Sequence, residues 1–475
     1  MSKQVLTSAK NYVWIFFGEQ WIDVMTEIVD GKLVEEVKES IKEEKRDFLT
    51  KLIDEMRPAD LADLMEHLNS DERLYFLEFM EPKGAGDVLM EIEAPVQESI
   101  LDELDNEAIS EIIQELDSDD AADLVGDLPA ERAKQIIETV ENEVSEDLEK
   151  LLPYPDDTAG GLMALEFVAV KAGDTIQQAI DTIRNKREEV QNIYYLFVVD
   201  GFNRLVGVIS LKDLVLEAPL RRVQEIMDPE VISVDVNMDQ EEVYHLVKKY
   251  DLVTVPVVDE YHRLVGRITH DDIIDVIEEE ADEDISLMAG VIRQEVADVS
   301  PMRISRARLP WLVAGLFGGI LAAAVIWQFE SSLKDLIALS FFFPVIMAMG
   351  GNTGTQAATV AVRGLATGDI SLVHVGKRLW VELRVALLNG IICGMLLGVI
   401  VGVTLQNYGL GVAVTLSVVL IILNSGFIGS AVPFALKKWN IDPALATGPF
   451  VTTTNDIMGL LIYLGIVTLF LKIST

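Results

Sequence analysis

The 475-residue chain carries a formal net charge of −40, and its length alone suggests two or three domains. Its single cysteine, Cys393, excludes a disulfide framework and a cysteine-based metal site, and its five histidines show no zinc-ligand spacing. From Arg306 onward the net charge is +4, which leaves −44 on the residues before it. A charge of that density repels itself in a folded region, so either bound cations offset it or the acidic surface is well solvated.

The first 33 residues are an N-terminal extension with a short apolar patch, YVWIFF, at residues 12–17. The patch lacks a basic flank and a small-residue cleavage site, so it is not expected to be a signal peptide. It is also too short to span a bilayer. The only structure expected here is an extra helix.

Residues 34–152 are predicted to form short helices. Fragments such as DLADLMEHL, AISEIIQEL and AADLVGDLPAER place apolar residues at helical spacing and acidic residues on the opposite face. Short helical hairpins stacked into a superhelix are the expected form, which makes this an all-α domain. For most of its acidic residues, simple solvation is the favoured interpretation.

Residues 153–280 contain an internal repeat, which reads YYLFVVDGFNRLVGVISLKDLV in the first copy and VTVPVVDEYHRLVGRITHDDII in the second. Each copy predicts a buried strand, a turn, a second strand and a helix that begins near an aspartate. Two such copies imply two like units packed together. The pattern resembles a pair of CBS domains, which are small α/β sensor modules. Such pairs often bind adenine nucleotides while many only transmit conformational changes, so ATP binding here stays open.

The segment IIDVIEEEADEDISLMAGVIRQEV is predicted to form a helix that connects this sensor to the apolar part of the chain, with the connecting (plug) segment placed at 281–305. Like charges crowded along a helix destabilise it unless a cation screens them. Bound divalent ions would let such acidic surfaces close, and loss of the ions would push them apart. The alternative is a solvated helix face. The crowded residues are Glu278, Glu279, Glu280, Asp282, Glu283 and Asp284.

Five apolar stretches of membrane-spanning length follow, and the transmembrane domain is placed at 306–475. The stretches cover residues 310–329, 336–365, 381–405, 411–436 and 445–471, and they carry the small residues typical of packed membrane helices. Basic residues precede the first stretch and follow the second and the fourth. The positive-inside rule therefore puts the N-terminal half in the cytosol and the C-terminus outside, in a multi-pass protein of the cell membrane surrounded by lipid.

The second stretch contains FFFPVIMAMGGNTGTQAATVAVRG, in which Pro344, Gly350 and Gly351 are expected to disrupt the helix. Polar residues follow that lipid cannot satisfy, and irregular backbone at membrane depth survives only inside protein or beside a water-filled cavity. A close-packing site for another helix is the alternative interpretation. The polar residues are Asn352, Thr353, Thr355 and Gln356.

The fifth stretch contains TGPFVTTTNDIMGLLIYL, and Asp456 is the one acidic residue well inside any stretch. Pro449 is expected to free the carbonyl of Leu445. An ionisable group at this depth is costly and usually faces a pathway for ions or protons. Arg384, near the cytosolic end of the third stretch, is the alternative structural partner for this carboxylate.

A single carboxylate per chain is a weak site for a divalent cation, but a two-fold dimer would bring two copies of Asp456 to one axis. Magnesium keeps its waters and takes few protein ligands, whereas calcium usually takes more direct oxygens. Two carboxylates with amide and carbonyl oxygens therefore favour a mostly hydrated magnesium ion.

The order of these parts resembles the MgtE family of magnesium channels and transporters over nearly the whole chain. The most specific segments are PVIMAMGGNTGTQAATVAVRGLATGDI and WNIDPALATGPFVTTTNDIMGLLIYL. The resemblance implies a multi-domain protein: an all-α superhelical domain, an α/β CBS pair, a connecting helix and five membrane helices. It also implies a homodimer with the pore on its axis, whose cytosolic domains close when cytosolic Mg²⁺ is high.

The resemblance also implies roles for individual residues. Asp456 matches the pore acid that holds hydrated Mg²⁺, Asn352 and Gln356 lie in the matching polar stretch, and Asp442 matches an acid at the cytosolic mouth. At ~1.5 Å per residue, Asp442 lies roughly 20 Å from Asp456 if the segment between them is helical. The implied regulatory Mg²⁺ ligands are Glu280, Glu283 and Asp284 of the connecting helix, Asp239, Glu241, Asp251, Asp271 and Asp272 of the second CBS unit, and Asp119, Asp120 and Asp123 of the helical domain.

The leading interpretation is a passive, self-regulated Mg²⁺ channel that serves magnesium homeostasis, since no nucleotide-hydrolysis motif is present. Two alternatives stay open: a divalent cation exchanger coupled to protons or sodium, and a nucleotide-sensing CBS module anchored in the membrane. Selectivity among Mg²⁺, Mn²⁺, Co²⁺ and Ni²⁺ also stays open. An enzyme is not expected, because no nucleophile–base set or catalytic metal cluster is found, and no nucleic-acid partner is expected.

Overall fold

The structure is a computed structural model that describes residues 13–17, 20–24, 29, 31–187, 190, 192–291, 301–367, 370, 375–446 and 448–474. The chain forms two compact units, Met1–Val276 and Ile277–Thr475. The predicted fold class, with a helical N-terminal domain, a pair of α/β modules and five long apolar helices, is confirmed.

The first unit begins with a β-hairpin, so the helix expected for the N-terminal extension is wrong. Strand β1 (Val13–Phe17) pairs antiparallel with β2 (Gln20–Val24). Aromatic and β-branched residues dominate both strands, and such side chains favour extended, pleated backbone over helix.

Helices α1 to α10 follow in the described part of the chain and form the all-α part of the unit. Local sequence sets their ends: Asn69 and Glu72 form a reciprocal capping box at the start of α4, and a proline opens α3 and α5. Alternate helices pack on each other, α3 on α5, α5 on α7 and α7 on α9, as expected for stacked hairpins. The helices are α1 (Gly31–Lys42), α2 (Arg46–Glu55), α3 (Pro58–Glu66), α4 (Ser70–Leu77), α5 (Pro82–Glu91), α6 (Ala94–Glu103), α7 (Asn106–Ile113), α8 (Ser118–Gly126), α9 (Ala130–Ile137) and α10 (Asn142–Leu151).

Two three-stranded α/β modules complete the first unit and confirm the predicted repeat. In each sheet the first two strands are parallel and the last two antiparallel. The last hairpin turns of the two modules bond to each other, since Leu205 N donates to His262 O and Leu264 N donates to Asn203 O. The first module contains β3 (Ala169–Lys171), α11 (Ile176–Asn185), β4 (Tyr195–Val199), β5 (Leu205–Ser210) and α12 (Leu211–Leu216), and the second contains β6 (Val234–Asp235), α13 (Gln240–Tyr250), β7 (Thr254–Val258), β8 (Leu264–Thr269) and the start of α14 (His270–Ala289).

One hydrophobic core joins the last helices of the superhelix to the second α/β module. Leu124 of α8 and Leu148 of α10 belong to the same buried cluster as Val243 of α13 and Ile268 of β8. Burial of such side chains is the main favourable term in folding. Helix α8 is therefore held firmly against the module in which α14 begins.

Helix α14 ends at Ala289, and Gly290 follows with a φ of 72°, a left-handed conformation that glycine adopts easily. The helix predicted for the connecting segment is thus shorter than expected. Residues 292–300 of that segment lie outside the described residues.

Five helices of the second unit, within its described residues, are long and apolar enough to cross a membrane, as predicted. They occupy Ile304–Gln328, Ile337–Ala366, Val375–Thr404, Tyr408–Lys438 and Pro443–Ile473. The underlying elements are α15 (Pro301–Gln328), α16 (Glu330–Asp335), a 3₁₀ helix (Ile337–Phe342), α17 (Phe343–Ala366), α18 (Val375–Thr404), α19 (Tyr408–Lys438), a second 3₁₀ helix (Pro443–Ala446) and α20 (Pro449–Ser474).

Candidate functional site

The candidate pore acid, Asp456, lies two turns into α20 and is half-buried. In the described part of the chain, no ion pair joins it to Arg384, whose guanidinium instead lies 5.2 Å from the centre of the Trp380 ring. The structure therefore does not support the alternative in which Arg384 is the partner of this carboxylate. An acid without a basic partner inside an apolar helix is typical of an ion pathway.

Two further candidate residues, Asn352 and Gln356, are exposed on one face of α17. Residues four apart in a helix lie one above the other, so the two amides form a short polar stripe. Exposed amides on a membrane-spanning helix require another protein surface or a water-filled path.

Helix α17 is continuous, so the expectation that Gly350 and Gly351 disrupt it is wrong. Pro344 lies in the first turn of α17, where no hydrogen bond is lost. Both glycines are buried against neighbouring helices, and a Cβ at Gly350 would lie 3.5 Å from Ser425 Oγ and 3.6 Å from Asn455 O. Both glycines therefore lie within a helix-packing interface, as the alternative interpretation expects.

Asp442 precedes the 3₁₀ helix Pro443–Ala446, and its Oδ1 accepts a hydrogen bond of 2.7 Å from Ala444 N. The segment from Asp442 to Asp456 is not a single helix, because α20 begins only at Pro449. The spacing of 20 Å expected for a helical segment therefore does not apply. Pro449 opens α20 instead of interrupting it, so it breaks no helix here, and the release of the Leu445 carbonyl stays a prediction.

In the first unit, the structure brings together acids that the sequence predicted separately. Asp119 and Asp120 in the first turn of α8 lie close enough to Asp272, at the start of α14, for the three charges to interact. Thr269 holds the α14 side, since its backbone N and Oγ1 each donate a 2.8 Å hydrogen bond to Asp272 Oδ2. The Thr269 hydroxyl also contacts Asp271, so its single hydrogen is shared between the two carboxylates. These four carboxylates, Asp119, Asp120, Asp271 and Asp272, are called the α8–α14 cluster below.

Burial and mutual repulsion make the α8–α14 cluster costly to ionise. Burial, reinforced by the charge of Asp272, raises the pKa of Asp120 to about 7. Burial likewise raises the pKa of Asp119 well above its usual range. Burial raises the pKa of Asp272 to about 6, against the lowering effect of its hydrogen bonds from Thr269. A proton or an oxygen-binding cation such as Mg²⁺ would relieve this strain.

The sequence analysis missed three residues beside the cluster, namely Asp117, Ser118 and Glu166. Glu166 accepts a 2.8 Å hydrogen bond from Ser118 Oγ, which in turn accepts one from Leu165 N. Burial raises the pKa of Asp117, while the charge of the buried Arg267 opposes that rise. Glu166 is 48 positions from Ser118, so no local pattern could have identified this pairing.

Of the other predicted regulatory residues, Asp123 borders this cluster, and the rest lie elsewhere. Asp239 caps α13 by accepting from Glu241 N at 2.9 Å, and Asp251 ends that helix with a φ of 52°. Asp123, one turn beyond Asp119 on α8, lies close enough to Asp120 and Asp272 for their charges to interact, and burial together with the charge of Asp120 raises its pKa to about 7. Glu280, Glu283 and Asp284 lie on α14 within the second unit. Among the residues that the structure describes, no three or more His, Cys, Asp or Glu side chains converge closely enough to hold a metal ion.

Three family models match the chain, over four stretches. A model described as a divalent cation transporter, MgtE, matches residues 343–466, and the MgtE intracellular N domain matches 56–157. The CBS domain matches twice, at 159–219 and 223–279.

Curated relatives match over about two thirds of the chain. The magnesium transporter MgtE of Thermus thermophilus is 41% identical over 329 residues, which is 68% of this chain and 72% of that protein. The magnesium transporter MgtE of Bacillus subtilis is 38% identical over 324 residues, with the same coverage of 68% and 72%.

Two solved structures are similar to parts of the chain. One, the cytosolic domain of the Mg²⁺ channel MgtE in complex with ATP, is 36% identical, with a TM-score of 0.49, and covers 51% of this chain and 99% of that chain. The soluble part of a magnesium transporter is 31% identical, with a TM-score of 0.49, and covers 53% of this chain and 98% of that chain.

Proposed function

The chain belongs to the MgtE family of divalent cation transporters, and on that premise we propose that it is a magnesium channel of the cell membrane that its own cytosolic part closes. The observation that carries the proposal is Asp456, a half-buried carboxylate in an apolar helix of membrane-spanning length. Relatives that match most of the chain are named magnesium transporters. Because the family consists of transporters, the prediction that the chain is not an enzyme is confirmed.

Conduction uses two copies of Asp456 on the axis of a homodimer. The exposed amides of Asn352 and Gln356 belong to the face of α17 that a second chain or a water-filled path would cover. Two carboxylates and these amide oxygens suit a Mg²⁺ ion that keeps most of its waters. A divalent ion moving inward gains about 4.6 kcal/mol per 100 mV, twice the value for one charge, so the gradient and membrane potential suffice. Asp442 concentrates cations at the cytosolic mouth.

Closure uses the acids of the cytosolic part. When Mg²⁺ is abundant, an ion that keeps most of its waters binds at the α8–α14 cluster with few direct ligands and screens the repulsion there, so that the acidic surfaces close. When Mg²⁺ is scarce the repulsion loosens them. The further ligands proposed on the family resemblance are Asp123, Asp239, Glu241, Asp251, Glu280, Glu283 and Asp284.

The gate is tested by Mg²⁺ influx into liposomes that hold the full chain, with internal Mg²⁺ first low and then high. The double variant Asp120→Asn with Asp272→Asn should conduct little even at low internal Mg²⁺, because the repulsion that holds the acidic surfaces apart is gone. The matched control, Asp54→Asn with Asp102→Asn, changes two exposed acids of the helical domain and should still close. A double variant that conducts at low internal Mg²⁺ and closes at high internal Mg²⁺, as the control does, would contradict the assignment of the gate.

Topology and coupling are proposed with their own tests. The N-terminal half is cytosolic and the C-terminus lies outside, so Thr475→Cys in a Cys393→Ser background should react with an impermeant thiol reagent added to intact cells. Passive conduction predicts Mg²⁺ flux that needs no proton or sodium gradient, and a strict need for either would favour the exchanger.

The domain boundaries at 33/34, 152/153, 280/281 and 305/306 stay proposals for limited proteolysis. ATP binding at the CBS pair stays a prediction for calorimetric titration.

A further inference from the structure

Asn455, the residue before Asp456, has a side chain that folding alone does not explain. It is fully buried where α17, α19 and α20 meet, and neither its amide nitrogen nor its amide oxygen has a hydrogen-bond partner among the described residues. A buried amide without partners destabilises a fold, and an apolar residue of similar size would cost less. Its position beside the proposed pore acid suggests a functional reason for it.

Gly354 of α17 lies directly against the Asn455 amide. A Cβ at Gly354 would overlap the Asn455 amide nitrogen and would lie only 2.9 Å from Val451 Cγ1, so only glycine leaves room here. Helix α19 also packs directly against Gly354. A Cβ at Gly429 would overlap the Gly354 carbonyl oxygen and would lie 3.1 Å from the Gly354 carbonyl carbon. Close-packed interiors hold such contacts in one arrangement.

The contact between Gly354 and Asn455 sets the direction in which the side chains proposed to meet the ion point. Consecutive residues of a helix are about 100° apart, so an inward Asn455 turns Asp456 away from the α17–α19 packing. Gly354 lies midway between Asn352 and Gln356, about 200° from each, so an inward Gly354 turns both amides to the opposite face of α17. The burial pattern agrees, since Gly354 and Asn455 are buried while Asn352 and Gln356 are exposed and Asp456 is half-buried.

We propose that the Gly354–Asn455 contact is the positioning element of the ion pathway, and that Asn455 is a positioning residue that sets the direction of the Asp456 carboxylate. The inference rests on the proposed role of Asp456 in conduction. Removing a group that holds a metal ligand in place typically costs ~10–100-fold in metal affinity or activity.

The test measures Mg²⁺ influx into liposomes over a range of external Mg²⁺ concentrations, together with the thermal stability of each purified full-length variant. Asn455→Ala and Asn455→Ser should fold and should raise the half-saturating Mg²⁺ concentration about tenfold or more. The matched control is Ser425→Ala, which removes another buried, unpartnered polar group from the same crossing but not beside Asp456. It should leave the half-saturating concentration unchanged.

A pair of variants tests the contact itself. Gly354→Ala should destabilise the protein, because its methyl group overlaps the amide, and adding Asn455→Ala should restore the stability but not the Mg²⁺ affinity. The inference is overturned if either folded Asn455 variant conducts with wild-type half-saturation, or if Gly354→Ala alone behaves as wild type. Asp456→Ala separates the two proposals: if it conducts normally the pore assignment fails, whereas if it is inactive and Asn455→Ala is normal only this inference fails.

Discussion

Replacing Asp120 by asparagine is expected to stabilise the first unit at neutral pH and to weaken its response to Mg²⁺. The Asp120 carboxyl is partly buried beside Asp272, and burial raises its pKa from 3.8 to about 7. A carboxyl whose pKa is higher in the folded than in the unfolded chain contributes stability that is complete below the unfolded pKa. That contribution is lost as the pH rises through the folded pKa. Stability without Mg²⁺ should therefore fall between about pH 4 and about pH 7.

The size of this loss follows from the shift. The full shift of Asp120 corresponds to roughly 4 kcal/mol at ~1.4 kcal/mol per pKa unit. The side chain is partly solvated and titrates together with Asp272, so we expect about half of that value, roughly 2 kcal/mol.

The assay is urea denaturation of the full chain followed by circular dichroism at about pH 5 and about pH 8, with and without Mg²⁺. The wild type should lose stability at the higher pH and regain it with Mg²⁺, whereas Asp120→Asn should show a smaller loss and a smaller gain. Asp102→Asn, which changes an exposed acid, should behave as wild type. A wild-type free energy of unfolding that is equal at both pH values, or an unchanged pH dependence in Asp120→Asn, would refute the reasoning.

Two further predictions concern helix packing in the second unit and, in the first unit, the hydrogen-bonded bridge that Ser118 forms between Glu166 and Leu165 N. Gly398→Ala should prevent normal assembly of α18 on α19, because the new Cβ would lie 2.5 Å from the Gly411 carbonyl oxygen; Gly402→Ala, one turn later, meets nothing closer than 3.5 Å and should be tolerated. Yields of monodisperse protein in detergent compare the two, and equal yields would contradict the packing. Ser118→Ala should destabilise the first unit by ~1–3 kcal/mol, because it removes the hydroxyl that donates to the half-buried Glu166 carboxylate and leaves Leu165 N–H without its acceptor. Urea denaturation measures this loss, and a change near zero would show that the bridge contributes nothing.

Periodic patterns in the sequence predicted most of the fold. The repeated strand–turn–strand–helix pattern predicted both α/β modules. Strands and turns are determined by residues that lie close together in the sequence, so the pattern is visible without the tertiary structure. The five apolar stretches likewise predicted the five helices of membrane-spanning length that the described part of the chain contains. The effect of Gly350 and Gly351 was misjudged, because helical propensity gives way to tertiary packing, here against α19 and α20.

The candidate sites were less accessible to sequence reasoning. Asp456 stood out because it is the one acid deep in an apolar stretch, and that needs no three-dimensional information. The pairing of α8 with the start of α14 depends on a shared core formed by distant segments, and the bond between Ser118 and Glu166 spans 48 positions. Contacts of this kind arise only when the whole unit has folded.

The central claim is tested most directly by Mg²⁺ flux into liposomes that hold the purified protein, with Asp456→Ala as the comparison and internal Mg²⁺ set low and then high. We expect flux in the wild type at low internal Mg²⁺, a fall in that flux at high internal Mg²⁺, and no flux in Asp456→Ala. Flux in Asp456→Ala equal to that of the wild type would contradict the assignment of the pore.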